Sequence, residues 1–243
     1  MPLQPVARRS VADEVFDQLL DGMLAGELAP GAPLPAERAL TETLGVNRQA
    51  VREALQRLAA AGLVEIRHGD KTRVRDYRRG AGLDLLARLL VRGDGSVDPE
   101  VVRSVMELRA CLGPEIARRC AQRATPQVAE AVAAAAGRMA DTDDLVALAA
   151  LDLQFWDVLV EGSENIAYRL AFNGLRQTYE PVAGVLGATL AEELADHDSR
   201  AAIAAAISAG DGEAAAGAAQ RLLERGQSAV LHLLETIAGE EQP

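Results

Sequence analysis

Residues Pro33 to Arg75 read PLPAERALTETLGVNRQAVREALQRLAAAGLVEIRHGDKTRVR. Ala36, Ala39, Leu40, Thr43 and Leu44 recur at helical spacing. Gly45 then supplies the left-handed position that stops this first helix. Asn47 is a good N-cap for a second helix, which runs to about Ala61 and ends at Gly62. On that helix Val51, Ala54, Leu55 and Leu58 make a stripe for burial, while Arg48, Gln49, Arg52 and Gln56 point the other way. Arg and Gln are the side chains that pair with guanine and adenine edges in the major groove, and here they occupy the first turns. Leu63 to Arg67 and Thr72 to Val74 alternate as short strands around a His68-Gly69-Asp70-Lys71 turn. Two short helices and a basic-tipped hairpin make a winged helix-turn-helix. An Arg-rich helical face is usually just solvated, but the capped helix, its Arg/Gln face and the Gly-containing tip together favour DNA binding.

The segment PGAPLPAERALTETLGVNRQAVREALQRLAAAGLVEIRHG resembles the signature of the GntR family of bacterial regulators, and the likeness continues into the FadR subgroup. In that subgroup DNA is contacted by the Arg of the PAER segment, the start of the recognition helix and the wing tip. The resemblance therefore implies DNA contacts from Arg38, Asn47, Arg48, Gln49, Arg52, His68 and Gly69, with Lys71 beside them. The subgroup has Lys directly after the wing's His-Gly; this chain has Asp70 there and Lys71 next.

The 243 residues suffice for two domains, and the charge divides between them. The formal net charge is −11, yet Arg38 to Arg79 holds ten Lys/Arg against five Asp/Glu, while 13 face 25 from Gly80 onward. A basic module beside an acidic one suits local contact with DNA. No apolar run is long enough to cross a bilayer and no signal core opens the chain, so a cytoplasmic location is expected. Cys111 and Cys120, nine apart on one helix, read as reduced core thiols.

Before the quoted stretch, residues 1–10 look frayed, with Arg8 and Arg9 within reach of a DNA backbone, and Val11 to Leu24 is amphipathic behind a Ser10 cap. After it, Asp76 to Gly82 is polar and Gly-bearing. The expected division is a DNA-binding domain over 1–76, a linker over 77–82 and an all-helical effector and dimerisation domain over 83–243. In the last, helices are expected at 83–91, 99–123 (kinked at Pro114), 126–140, from 141–144 to 161, 165–179, 199–209 and 211–238. The fold class is mainly α: a winged helix-turn-helix followed by an antiparallel helical bundle.

The second half resembles the FadR effector domain through Gly82-Leu83-Asp84-Leu85-Leu86, LDLQFWDVLVEGSENIAYRLAFNGLRQTY and Ala209-Gly210-Asp211. Many relatives of that domain hold a metal with one Asp and three His. The matching positions here are Asp152, Trp156, Arg200 and Leu222, a set without imidazole, so no metal and no other cofactor is expected. Arg109 stands where the family commonly turns an Arg to the effector. The expected effector residues are Arg109, Asp152, Trp156, Tyr179 and Arg200. Two readings of the arginines remain open: capture of a carboxylate, thioester or phosphate, or an internal ion pair of Arg109 or Arg200 with Asp152. Where the subgroup places Tyr-Gly and a later Trp around acyl-CoA, this chain has Leu222, Leu223 and Val230.

The resemblance implies a homodimeric repressor of fatty-acid metabolism genes, released from a palindromic operator by a fatty acid or acyl-CoA. The alternative is the same architecture sensing a short carboxylate or sugar acid. An enzyme is not expected: no nucleophile–base spacing or phosphate loop occurs.

Overall fold

The computed structural model describes residues 10–67, 71–91, 95–179, 182 and 187–240. They fall into two compact units, dividing after Leu85, with the short segment ahead of Val97 returning to the first.

In the first unit α1 (Val11–Leu24) begins at a capping box. The Ser10 hydroxyl accepts from Asp13 N, and the Asp13 carboxylate accepts from Ser10 N. Val15, Phe16, Leu19, Leu20 and Met23 line its buried face. The helix pair follows as α2 (Glu37–Leu44) and α3 (Arg48–Ala60), separated by Gly45 at φ 65°. Asn47 Oδ1 accepts from Ala50 N at 2.9 Å and fixes where α3 starts. Val51, Ala54 and Leu58 are fully buried, so the inner face of α3 is closed by core. Arg57 ties α3 to α1: Nη1 meets Asp13 Oδ1 at 2.6 Å and the guanidinium lies 5.1 Å from the Phe16 ring centre.

The wing is an antiparallel pair, β1 (Val64–Glu65) and β2 (Arg73–Val74), in register Val64 with Val74. Residues 31–34 pair along its other side: Gly31 N donates to Val74 O, Val74 N to Ala32 O and Leu34 N to Thr72 O. This third, strand-like arm was not read in the sequence, because its Gly and Pro residues signal a turn. The expected linker, 77–82, carries local structure. Tyr77–Gly80 form a helical turn, α4, capped by Asp76, and the Gly80 carbonyl sits against Gly62, which takes φ +74°.

The second unit is all helical: α5 (Leu86–Leu90), α6 (Pro99–Arg123), α7 (Pro126–Ala140), α8 (Leu145–Gly162), α9 (Ile166–Tyr179), α10 (Ala191–Leu194), α11 (His197–Ser208) and α12 (Gly212–Glu240). Asp98, Thr125, Asp144 and Asp196 cap α6, α7, α8 and α11 through side-chain oxygens. Where one helix was expected over 83–91, a 3₁₀ turn at Leu83–Leu85 precedes α5. Helix α6 continues through Pro114 and packs against α12, α8 and α11. Gly113 lets it come close to α12, since a Cβ there would collide with Leu223. Alanines fill the tight contacts: Ala117, Ala135, Ala215, Ala218 and Ala219 are at most 1 % exposed. Cys120 belongs to this core but Cys111 is exposed, which corrects the expectation of two core thiols. Nine residues turn a helix through about 900°, or half a revolution beyond whole turns, so both thiols cannot face one core. No helix among the described residues is long and apolar enough to cross a membrane.

Candidate functional site

The first candidate surface is the exposed face of α3 from Arg48 to Gln56. Arg48, Gln49, Arg52 and Gln56 are all exposed, opposite the buried stripe that anchors the helix. Arg38 projects from α2 and is held by Glu42 at 2.9 Å; Arg48 Nε meets Glu37 Oε2 at 3.3 Å. Their side chains are 87 % and 79 % exposed, so these pairs are weak in water and open to exchange for phosphate oxygens. Asn47 uses its oxygen as the helix cap, leaving its amide NH₂ as the group able to donate outward. Lys71 is exposed at the wing. His68 and Gly69, also expected to touch DNA, lie outside the described residues, as do Arg8 and Arg9.

The second candidate site is a cavity in the helical unit with about 100 Å³ of free space. Its walls are mostly apolar, from Leu90, Val105, Met106, Leu112, Ile116, Phe172 and Leu223. One part is polar. Arg109, Asp152, Trp156, Tyr179 and Glu193 line it together, so the cavity gathers four of the five expected effector residues. Arg200 is the exception. It does not line the cavity, is fully buried, and is consumed by structure. Its Nη2 donates to Asp152 Oδ1 at 2.6 Å, and its Nη1 donates to the carbonyls of Glu193 at 2.7 Å and Asp196 at 3.1 Å. Of the two readings left open for the arginines, the internal ion pair with Asp152 is the contact that Arg200 makes. The guanidinium braces the end of α10, where helix carbonyls lack partners.

Sequence reading missed Glu193. It lies on α10, is 1 % exposed, and its Oε1 accepts from Arg109 Nη2 at 2.5 Å. Its other oxygen has no partner and fits into the space left by Gly226, where a Cβ would collide with it. Burial pushes the Glu193 carboxyl up, against the pull of Arg109. Burial also works against the Arg109 charge, but Glu193 and Asp152 more than restore it and its pKa is raised. Tyr179 is raised by burial and by Asp152. Trp156 Nε1 and the Tyr179 hydroxyl are buried without a hydrogen-bond partner in the protein. Unsatisfied buried donors are costly, so a cavity that keeps two of them is suited to a ligand that accepts.

Residues 11–74 match the profile of "Bacterial regulatory proteins, gntR family" and residues 104–225 match the "FCD domain". The Fatty acid metabolism regulator protein of Escherichia fergusonii is 34 % identical over 174 residues, 72 % of this chain and 71 % of that one. The chain is a FadR-like member of the GntR family. This regulator is also 44 % identical over 241 residues to the HTH-type transcriptional regulator Mce2R of Mycobacterium tuberculosis, covering 99 % of this chain and 100 % of that one. The solved structure of Lar, which controls the expression of the Listeria monocytogenes agr system, superimposes with a TM-score of 0.58 at 18 % identity. It covers 94 % of this chain and 100 % of Lar and establishes a shared fold. The regulator is thus a DNA-binding transcription factor and not an enzyme.

Proposed function

We propose that the regulator binds a palindromic operator as a homodimer, through Arg38, Asn47, Arg48, Gln49, Arg52 and the wing, and is released by an acyl ligand in the helical unit. The observation that carries the ligand class is the cavity: apolar walls with a polar end at Arg109, Trp156, Tyr179 and Glu193. Such a lining suits a molecule with a hydrocarbon body and one polar head. The name of the E. fergusonii relative supports a role in fatty-acid metabolism. Ile166 and Leu170, one turn apart on α9 and 73 % and 62 % exposed, are available to a dimer interface.

The free space of about 100 Å³ falls short of the roughly 300–1,000 Å³ of typical ligand sites. A long acyl chain therefore binds only when the helices around the cavity part. That is the differential affinity a switch requires, since a ligand that binds both states equally moves neither. The same small volume favours a second reading, in which a short carboxylate or sugar acid occupies the cavity as it stands. Native mass spectrometry of the purified protein separates the two. A dimer carrying acyl-sized adducts supports the first reading, small-acid adducts support the second, and a monomer at operator-binding concentrations refutes the dimer.

A further inference from the structure

Arg109, Asp152 and Glu193 line the polar end of the cavity, and Arg200 stands off the lining as the partner of Asp152. Arg200 is paired with Asp152 at 2.6 Å and Arg109 with Glu193 at 2.5 Å. All four are withdrawn from water: Arg200 is fully buried, Glu193 1 % and Asp152 7 % exposed, and the Arg109 side chain 22 %. The set is electrically balanced before any ligand arrives. A carboxylate added here would be an uncompensated charge in a poorly solvated space, unless it expelled Glu193 from Arg109. Glu193 cannot easily move aside, because its second oxygen is seated against Gly226 and its own backbone carbonyl is bonded to Arg200. Arg176, the remaining cation lining the cavity, is exposed, so its charge is solvated at the rim. Of the buried groups without a partner, Glu193 Oε2 is seated against Gly226 and Arg200 Nε belongs to a residue off the cavity lining; the two on lining residues that can donate are neutral, Trp156 Nε1 and the Tyr179 hydroxyl. Two donors beside a balanced charge set are suited to an uncharged carbonyl oxygen.

We propose that Glu193 determines effector specificity: by occupying Arg109 it makes this cavity accept an uncharged acyl carbonyl, as in an ester, thioester or amide, and turn away a free carboxylate. Gly226 is the positioning residue that gives Glu193 its seat. The proposal rests on the cavity being the effector site. It differs from that reading in excluding the free acid, whatever its chain length.

Trp156 is the single tryptophan of the chain and lines the cavity, so intrinsic fluorescence of the full-length protein reports on occupancy directly. The test titrates a medium-chain fatty acid and its methyl ester, which differ in the charge and one methyl group, into the wild type and Glu193→Gln. The ester is expected to bind the wild type on the order of tenfold or more tightly than the acid. In Glu193→Gln, where Arg109 is left without a counter-charge, the preference is expected to reverse. Acid binding the wild type as tightly as the ester overturns the proposal and leaves the cavity reading standing; this comparison needs no variant. An unchanged ester preference in a Glu193→Gln protein with wild-type circular dichroism overturns it as well. No response to either compound in the wild type overturns the cavity reading and the proposal together.

Discussion

Replacing Arg200 by Met tests whether this arginine is a brace or a ligand contact. The side chain is 0 % exposed and holds Asp152 at 2.6 Å together with the carbonyls of Glu193 and Asp196. Methionine matches much of its length and adds no charge, but takes from buried Asp152 the guanidinium it is bonded to. Breaking a buried pair from one side costs about 3–5 kcal/mol, most of it the desolvation of the survivor. For a helical unit of this size each kcal/mol lowers Tm by roughly 2–4 °C, so a fall of about 6–20 °C is expected. The double variant Arg200→Met, Asp152→Leu removes both charges and should recover a large part of the loss. The assay is urea denaturation followed by circular dichroism, with thermal melts alongside, and operator affinity measured separately. A loss below about 1 kcal/mol, or no recovery in the double variant, would refute the bracing role and return Arg200 to the effector contacts.

Three further outcomes follow from local geometry. Hydrogen bonds from Arg57 and then Ser10 hold the Asp13 carboxyl at about 2, below its ordinary 3.8, so its stabilising contribution is complete above pH 4 and is lost as pH falls towards 2. In Arg57→Ala that acid limb should weaken in a pH series of Tm values; an unchanged limb would contradict the pairing. Gly62→Ala combines a positive φ with a collision against the Gly80 carbonyl and should destabilise the DNA-binding unit by about 1–3 kcal/mol, whereas a neutral change would contradict the close approach. A thiol reagent should modify exposed Cys111 rapidly and spare Cys120, whose thiol burial pushes up to about 11; equal rates would place Cys120 at the surface.

Much of this fold was legible because its punctuation is local. Ser10, Asn47, Asp98, Thr125 and Asp144 each cap the helix that follows, and Gly45 and Gly62 take the left-handed turns their positions require. The exposed face of α3 follows from the same periodicity that buries Val51 and Leu58. What escaped depends on distant partners. Helix α11 starts at His197 and not Ser199, because Asp196 supplies the cap in a stretch with several acidic alternatives. Arg200 is an expected effector group because it stands in a ligand position of the family; its ion pair with Asp152 joins residues 48 apart. Glu193 was invisible because its partner, Arg109, lies 84 residues away and its seat is a missing side chain at Gly226. Its neighbours Glu192 and Asp198 make it look like one more solvated acid.

The most direct measurement is fluorescence anisotropy of a labelled fragment from the regulator's own upstream region, at fixed salt, with wild type and Arg48→Ala. The wild type should bind, release the fragment when an acyl ester or thioester is added, and keep it in the presence of short acids. Arg48→Ala should lose binding while retaining helical content. Normal affinity in Arg48→Ala would contradict the role of α3, and DNA binding indifferent to every acyl compound would contradict the coupling between cavity and operator.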